Sequence, residues 1–150
     1  MDNMGLWVSA IVVLFILGSI FSFRTSPRDK ALANLREKAR KLGLNPRLVP
    51  APEWLGLEKQ GNYAPMVAYY SVMIKDGRLA LMRAKVQNQQ LHVVVGDERW
   101  QHHAFQVVGA YAVEMQANAV SVYWDESQDL KAEHLEQMKQ ALLTLSQTEL

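Results

Sequence analysis

MVAYYSVMIKDGRLALMRAKV, residues 66–86, governs the reading of everything beyond the N-terminal helix. Residues 66–75 and 78–86 read as strand formers, the first rich in β-branched and aromatic side chains, and Asp76-Gly77 separates them. A two-residue type I′ turn needs φ > 0 at both positions, which Asp-Gly supplies, so the stretch predicts a β-hairpin. That turn would place Lys75 opposite Arg78, Ile74 opposite Leu79, Val72 opposite Leu81 and Tyr70 opposite Arg83. Ile74, Val72, Leu79 and Leu81 would then share a core face, and Tyr70 beside Arg83 would form a cation–π contact. Leu91–Val95 reads as a third strand after the polar link Asn88-Gln89-Gln90, ended by Gly96-Asp97, which completes an antiparallel meander.

Downstream, residues 103–117 satisfy two periods at once. Phe105, Val108, Ala112 and Met115 fit a helix, while Val107, Gly109, Tyr111 and Val113 fit a strand. Alanine and methionine content favours the helix. Val120, Val122 and Trp124 alternate as a strand, and 128–146 reads as a helix with a Leu130, Leu135, Met138, Leu142 and Leu145 stripe. Asp129 sits near its start, where negative charge is favourable.

Upstream, the proline-rich stretch 45–65 reads as loop, with Arg47-Leu48-Val49 as a short edge strand. Ser26-Pro27 is a helix start and Gly43 a left-handed helix end, with Leu44 placed to cover the last turn. Between them Leu32, Leu35, Ala39 and Leu42 line one face, and basic residues line the other. Two roles suit such a helix: packing its leucine stripe on the domain, or lying on a membrane with its cations at the headgroups.

Residues 4–23, MGLWVSAIVVLFILGSIFSF, contain no charge. About 20 helical residues cover the hydrocarbon layer of a bilayer, and hydroxyls such as Ser9, Ser19 and Ser22 can bond back to helix carbonyls. A cleaved signal peptide would carry a basic start, whereas the only charge before this segment is Asp2. After it come Arg24, Arg28, Lys30, Arg36, Lys38, Arg40 and Lys41, which are also the expected lipid-headgroup contacts. The positive-inside rule then places the N-terminus outside and the C-terminal domain in the cytoplasm, at the inner membrane if the source is bacterial.

The expected fold is α+β. An N-terminal transmembrane helix precedes a small antiparallel sheet, a three-stranded meander plus one or two strands, covered by helices on one face. The expected segments are an anchor over 1–25, a basic juxtamembrane helix over 26–45 and a soluble domain over 46–150.

Little in the chain points to catalysis. It has no cysteine, and a net charge of +1 argues against a polybasic nucleic-acid binder. There is no phosphate-binding glycine loop, nucleophile elbow or HExxH, so no cofactor, metal or small-molecule substrate is expected. His102 and His103 are adjacent and diverge, which makes a poor chelate, and His92 and His134 lack a fixed carboxylate partner. Asp97-Glu98 and Asp125-Glu126 read as solvated turn acids. Arg83, Lys85 and Arg99 are too few for a nucleic-acid groove without stacking aromatics. Trp54, Trp100 and Trp124 are the candidate partner-binding residues, as an exposed aromatic patch. Within the span, Gly18 and Ser22 form a small-xxx-small pair able to meet another helix.

The join Phe23-Arg24-Thr25-Ser26-Pro27-Arg28-Asp29-Lys30 resembles the start of YajC-like proteins, accessory subunits of the bacterial Sec translocase, and of single-pass inner-membrane proteins loosely grouped with them. The resemblance covers residues 1–42 and implies one span, a basic neck and a small cytoplasmic domain. The family's glycine-rich β segment has no counterpart: Gly96-Asp97 leads into Glu98-Arg99-Trp100, and no Gly-Gly occurs. The functional expectation is a non-enzymatic, membrane-tethered accessory or scaffold protein whose domain binds a protein partner. Its alternatives are a lipid sensor acting through helix 27–42 and an enzyme with an unrecognised site.

Overall fold

The computed structural model describes residues 3–22 and 26–150, so Arg24 lies outside the described residues. The chain forms two compact units, divided between Lys30 and Ala31. The first contains α1 (Asn3–Ser22), which is long and apolar enough to cross a membrane and has no buried residue. Ser9 Oγ donates to Gly5 O and Ser22 Oγ to Gly18 O, both at 2.8 Å, so these hydroxyls are satisfied within the helix.

Helix α2 (Pro27–Lys41) forms as its caps require. The Asp29 N–H donates to Ser26 Oγ at 3.1 Å. At the other end Gly43 has φ 89°, its N–H donates to Arg40 O, and the Leu44 N–H donates to Ala39 O, the two bonds of a Schellman motif. Leu35, Ala39 and Leu44 are buried in the core of the second unit. Most of α2 is therefore part of the domain, not a separate juxtamembrane segment.

Six antiparallel strands follow: β1 (Asn45–Pro50), β2 (Met66–Met73), β3 (Leu79–Gln87), β4 (Gln90–Val95), β5 (Ala110–Ala117) and β6 (Ala119–Trp124). Their order is β1-β2-β6-β5-β3-β4, so the predicted hairpin between 66–75 and 78–86 does not form. Tyr70 faces Pro46 and Val122, Val72 faces Val120, Leu79 faces Ala117, and Arg83 faces Glu114 and Val95. The Tyr70–Arg83 contact is thus lost, since the two residues lie on strands separated by β6 and β5. Asp76 alone has positive φ at the predicted turn, and the Gly77 N–H closes onto Ile74 O. The tight turn with two positive φ values lies instead at Asn88 and Gln89, between β3 and β4, so only that half of the meander survives.

The segment read as helix over 103–117 ends in strand β5. Val113 and Met115 face the helices, while Ala112 packs on the other side of the sheet. A strand buried on both faces carries apolar side chains at every phase, which imitates a helical period. The helix expected over 128–146 is also shortened: a 3₁₀ turn (Glu126–Asp129) precedes α3 (Leu135–Gln147), with Ala132 at φ 56° between them. Leu135, Met138, Leu142 and Leu145 are its buried stripe as expected, whereas Leu130 falls outside it, at the end of the 3₁₀ turn, and is half-buried.

Helices α2 and α3 cover one face of the sheet, where Tyr70, Val72, Ala84, Val113, Val120, Val122 and Trp124 form the main core. A smaller cluster, Ala51, Leu55, Val67, Ala112 and Tyr123, lies on the opposite face beneath the loop 51–65. Both sheet edges are guarded. On β1 the alternate positions Pro46, Leu48 and Pro50 share one hydrogen-bonding direction, and proline has no N–H, so that direction faces outward. On β4 the Leu91 N–H donates to His103 O and Leu91 O accepts from His102 N–H, each at 2.8 Å. The Val93 N–H donates to Gln101 Oε1 at 2.8 Å.

Candidate functional site

Cross-strand partners share a face, so the register defines two rows across the face turned away from the helices. One row is Arg47, Tyr69, Tyr123, Ala112, Lys85 and His92. The loop 51–65 covers its centre: Trp54 meets the Tyr123 ring edge-on at 5.6 Å, and Tyr123 packs on Tyr69 at 4.7 Å. Burial pushes the Tyr69 and Tyr123 hydroxyls above their ordinary range.

The second row, Asn45, Ser71, Ser121, Glu114 and Arg83, is polar throughout. Its members are tied to one another. Ser71 Oγ and Ser121 Oγ share a hydrogen bond of 2.8 Å. Glu114 accepts from the Tyr69 hydroxyl at 3.0 Å through one oxygen and from Arg83 Nε at 2.8 Å through the other. The carboxylate is held at both oxygens, and Arg83 in turn cannot rotate about its Nε without losing a charged hydrogen bond. A shallow depression of about 190 Å³, lined by Tyr69, Glu114, Gln116, Ala117, Ala119 and Ser121, opens over this row. Hydroxyls, a fixed carboxylate and a guanidinium at this spacing are suited to recognising hydrogen-bonding groups on an extended ligand.

The expected partner-binding tryptophans do not form a patch. Trp100 and Trp124 are buried in the main core, with Trp124 edge-on to Tyr70 at 5.1 Å. Trp54 is half-buried in the cluster on the other face. Large rings fill a small core most effectively, and the sheet separates Trp54 from the other two.

The basic residues of α2 divide in the same way. Arg36 donates to both oxygens of Glu126, at 3.0 and 2.8 Å, and Lys38 Nζ donates to Ala132 O. With the leucine stripe buried as well, α2 has no apolar face to lay on a bilayer, which argues against the interfacial-helix reading. Arg28, Lys30, Arg40 and Lys41 remain exposed, with Arg40 3.6 Å from Glu37.

Glu126 itself corrects an expectation. Read as a solvated turn acid, it is buried and also accepts from the fully buried Tyr70 hydroxyl at 2.6 Å. The turn after β6 tucks under α2, which brings the three side chains together. Burial, reinforced by the Glu126 bond, drives the Tyr70 hydroxyl far above its ordinary range, and the Glu126 bond raises Arg36. Asp125 and Asp97 cap 3₁₀ turns, accepting from the N–H groups of Ser127 and Arg99. Arg99 also grips the Asp97 side chain and holds its carboxyl below the usual range.

His102 and His103 diverge as expected: His102 meets His92 edge-on at 5.7 Å and His103 packs on Trp100 at 5.1 Å. His134 departs from expectation, because the 3₁₀ turn before α3 brings the buried Asp129 carboxylate to its ring at 3.0 Å. Among the described residues no group of three or more His, Asp or Glu is placed to hold a metal ion.

Sequence reasoning missed Tyr69, Glu114, Ser71 and Ser121. Glu114 fell within the expected helix, and the serines lie on strands that neighbour each other only in the folded sheet. One signal was available: Ser71 and Ser121 interrupt otherwise apolar strands at positions that must point into the sheet's surface. Comparison of the chain with family models, with curated proteins and with solved structures finds no match.

Proposed function

We propose that this chain is a non-enzymatic, membrane-tethered accessory protein whose cytoplasmic α+β domain binds a protein partner in an inner-membrane complex. The observation that carries the reading is the open face of the sheet. Both edges are guarded and one face is covered by helices, yet on the other face Arg83 and, to a lesser degree, Glu114 stay partly exposed beside the buried Ser71–Ser121 pair, in an internally fixed row. Polar groups held rigidly on a sheet face contribute little to the core, and they suit recognition of another chain.

Helix α1 supplies the tether, and the cations that follow it favour a cytoplasmic domain. Confinement near the bilayer makes encounters with membrane partners effectively intramolecular, so modest affinity suffices. The exposed cations Arg28, Lys30, Arg40 and Lys41 add attraction to anionic headgroups of about 1 kcal/mol each near the surface. The YajC-like start is consistent with service to a larger membrane complex.

In-cell crosslinking of the full-length protein, followed by gentle solubilisation and mass spectrometry, tests the reading. Conjugates with one membrane complex, reproduced across crosslinkers, are expected. Recovery of this chain alone under all conditions would refute it.

A further inference from the structure

We infer that the Arg83 end of this polar row binds an acidic side chain of an extended protein segment, with Arg83 as the anchoring cation. This deepens the reading above and rests on it.

Glu114 is engaged at both oxygens, and Tyr69 donates its only proton to it. The Ser71–Ser121 pair is buried and also hydrogen-bonds the Tyr69 hydroxyl, so it is spent within the row. Arg83 uses only Nε, and its terminal nitrogens have no partner among the described residues. The row therefore offers the terminal nitrogens of the Arg83 guanidinium as its free hydrogen-bond donors. Two parallel N–H groups match a carboxylate.

Charge favours the same ligand. The strand residues Arg47, Arg83 and Lys85 face this side, against Glu114 alone, an excess of two positive charges. Lys85 lies beside Gly56 of the covering loop and has no ion-pair partner among the described residues. Met73 and Val95, which flank the row in register, are exposed apolar side chains at 58% and 39%. An acidic residue flanked by apolar ones on an extended chain fits this order of polar centre and apolar rim.

Nucleic acid fits less well. The two aromatics of this face, Tyr69 and Tyr123, are stacked on each other, and Trp54 covers Tyr123, so they give no platform for bases. A phosphate with more than one charge would also meet the fixed Glu114 carboxylate beside Arg83.

The test places a reporter at the exposed rim residue Gln116. In the full-length Gln116→Lys protein, a zero-length carbodiimide applied to intact membranes joins the new amine to any carboxylate in contact with it. The expected product is an isopeptide between the introduced lysine and an Asp or Glu of another chain, identified by mass spectrometry. Its yield should fall about tenfold in Arg83→Gln, the loss of one charged hydrogen bond, and several-fold in Lys85→Gln and at high salt. Lys85→Gln removes charge without touching the Glu114 contacts, so it still reads the prediction if Arg83→Gln unfolds.

Absence of an intermolecular isopeptide at position 116, or yields unchanged by both variants, overturns the inference. So does a nucleic-acid adduct from a photocrosslinker at the same position. If partners crosslink elsewhere on the domain while position 116 stays silent, this inference fails and the broader reading stands. If no position captures a partner, both fail.

Discussion

Replacing Glu126 with alanine removes the acceptor of three hydrogen bonds at once: two from Arg36, at 3.0 and 2.8 Å, and one from Tyr70, at 2.6 Å. Charged hydrogen bonds are worth about 1.5–3 kcal/mol each, and removing one partner of a buried ion pair costs about 3–5 kcal/mol. Arg36 keeps 28% of its side chain exposed, so water recovers part of its loss, whereas the Tyr70 hydroxyl is fully buried and recovers nothing. The expected cost of Glu126→Ala is therefore about 3 kcal/mol, at the low end of that range. Tyr70→Phe alone should cost about 1.5 kcal/mol. Because the tyrosine hydroxyl bonds Glu126 and also interacts with Arg36 of the same triad, the double variant should cost less than the sum of the single costs, a coupling of up to about 1.5 kcal/mol. Urea unfolding of the full-length protein in mild detergent, followed by tryptophan fluorescence and far-ultraviolet circular dichroism, measures all three. A Glu126→Ala cost below about 1 kcal/mol, or strictly additive costs, would refute the view that this triad fastens α2 to the sheet.

The strand order predicts that Ser71→Cys with Ser121→Cys, in a chain that has no native cysteine, forms a disulfide on mild oxidation, because the two Oγ atoms are 2.8 Å apart. Tyr70→Cys with Arg83→Cys should not; the reverse result would restore the local hairpin. Gly96→Ala should destabilise the domain by about 3 kcal/mol, since φ is 117° and a Cβ would lie 2.7 Å from Leu81 O, while Gly43→Ala should cost about 1 kcal/mol, having only a left-handed φ to oppose it. Equal melting temperatures for the two variants would contradict this. Burial raises Tyr69, Tyr70 and Tyr123 above their ordinary pKa of 10.0. A raised folded value means their contribution to stability is complete below the unfolded pKa and is lost as pH climbs above it, so unfolding should release protons and stability should fall beyond about pH 10. Tyrosinate absorbance that rises fully while the far-ultraviolet spectrum stays native would disprove it. Finally, a C-terminal fluorescent-protein fusion should glow and a C-terminal alkaline phosphatase fusion should be inactive; the opposite pair of results would reverse the proposed orientation.

The helices were legible because their signals are local. Ser26 bonds a donor three residues away, the Gly43 motif closes within one turn, and the Leu135, Met138, Leu142 and Leu145 stripe needs only a partner surface. The apolar run of α1 is equally self-contained: its length and lack of charge state what solvent it suits. The alternation of Val120, Val122 and Trp124 likewise marked β6, and Arg47-Leu48-Val49 marked an edge strand.

Strand order was not local, and only the tertiary structure settled it. Asp76-Gly77 favours a hairpin through the backbone preference of two residues, whereas burying one large apolar side chain is worth about 1.5–3 kcal/mol. Strand β6, with Val120, Val122 and Trp124 all buried, gains more at the centre of the sheet, flanked by β2 and β5, than the short hairpin would gain by closing. That arrangement converts Glu114 from an expected helix residue into the acceptor between Tyr69 and Arg83. It also draws Glu126 under α2 and divides the tryptophans between two faces. Short-range chemistry in the chain sets helices, caps and the membrane-length segment. Which polar groups meet depends on burial summed over distant strands, a quantity that exists only once the sheet is assembled.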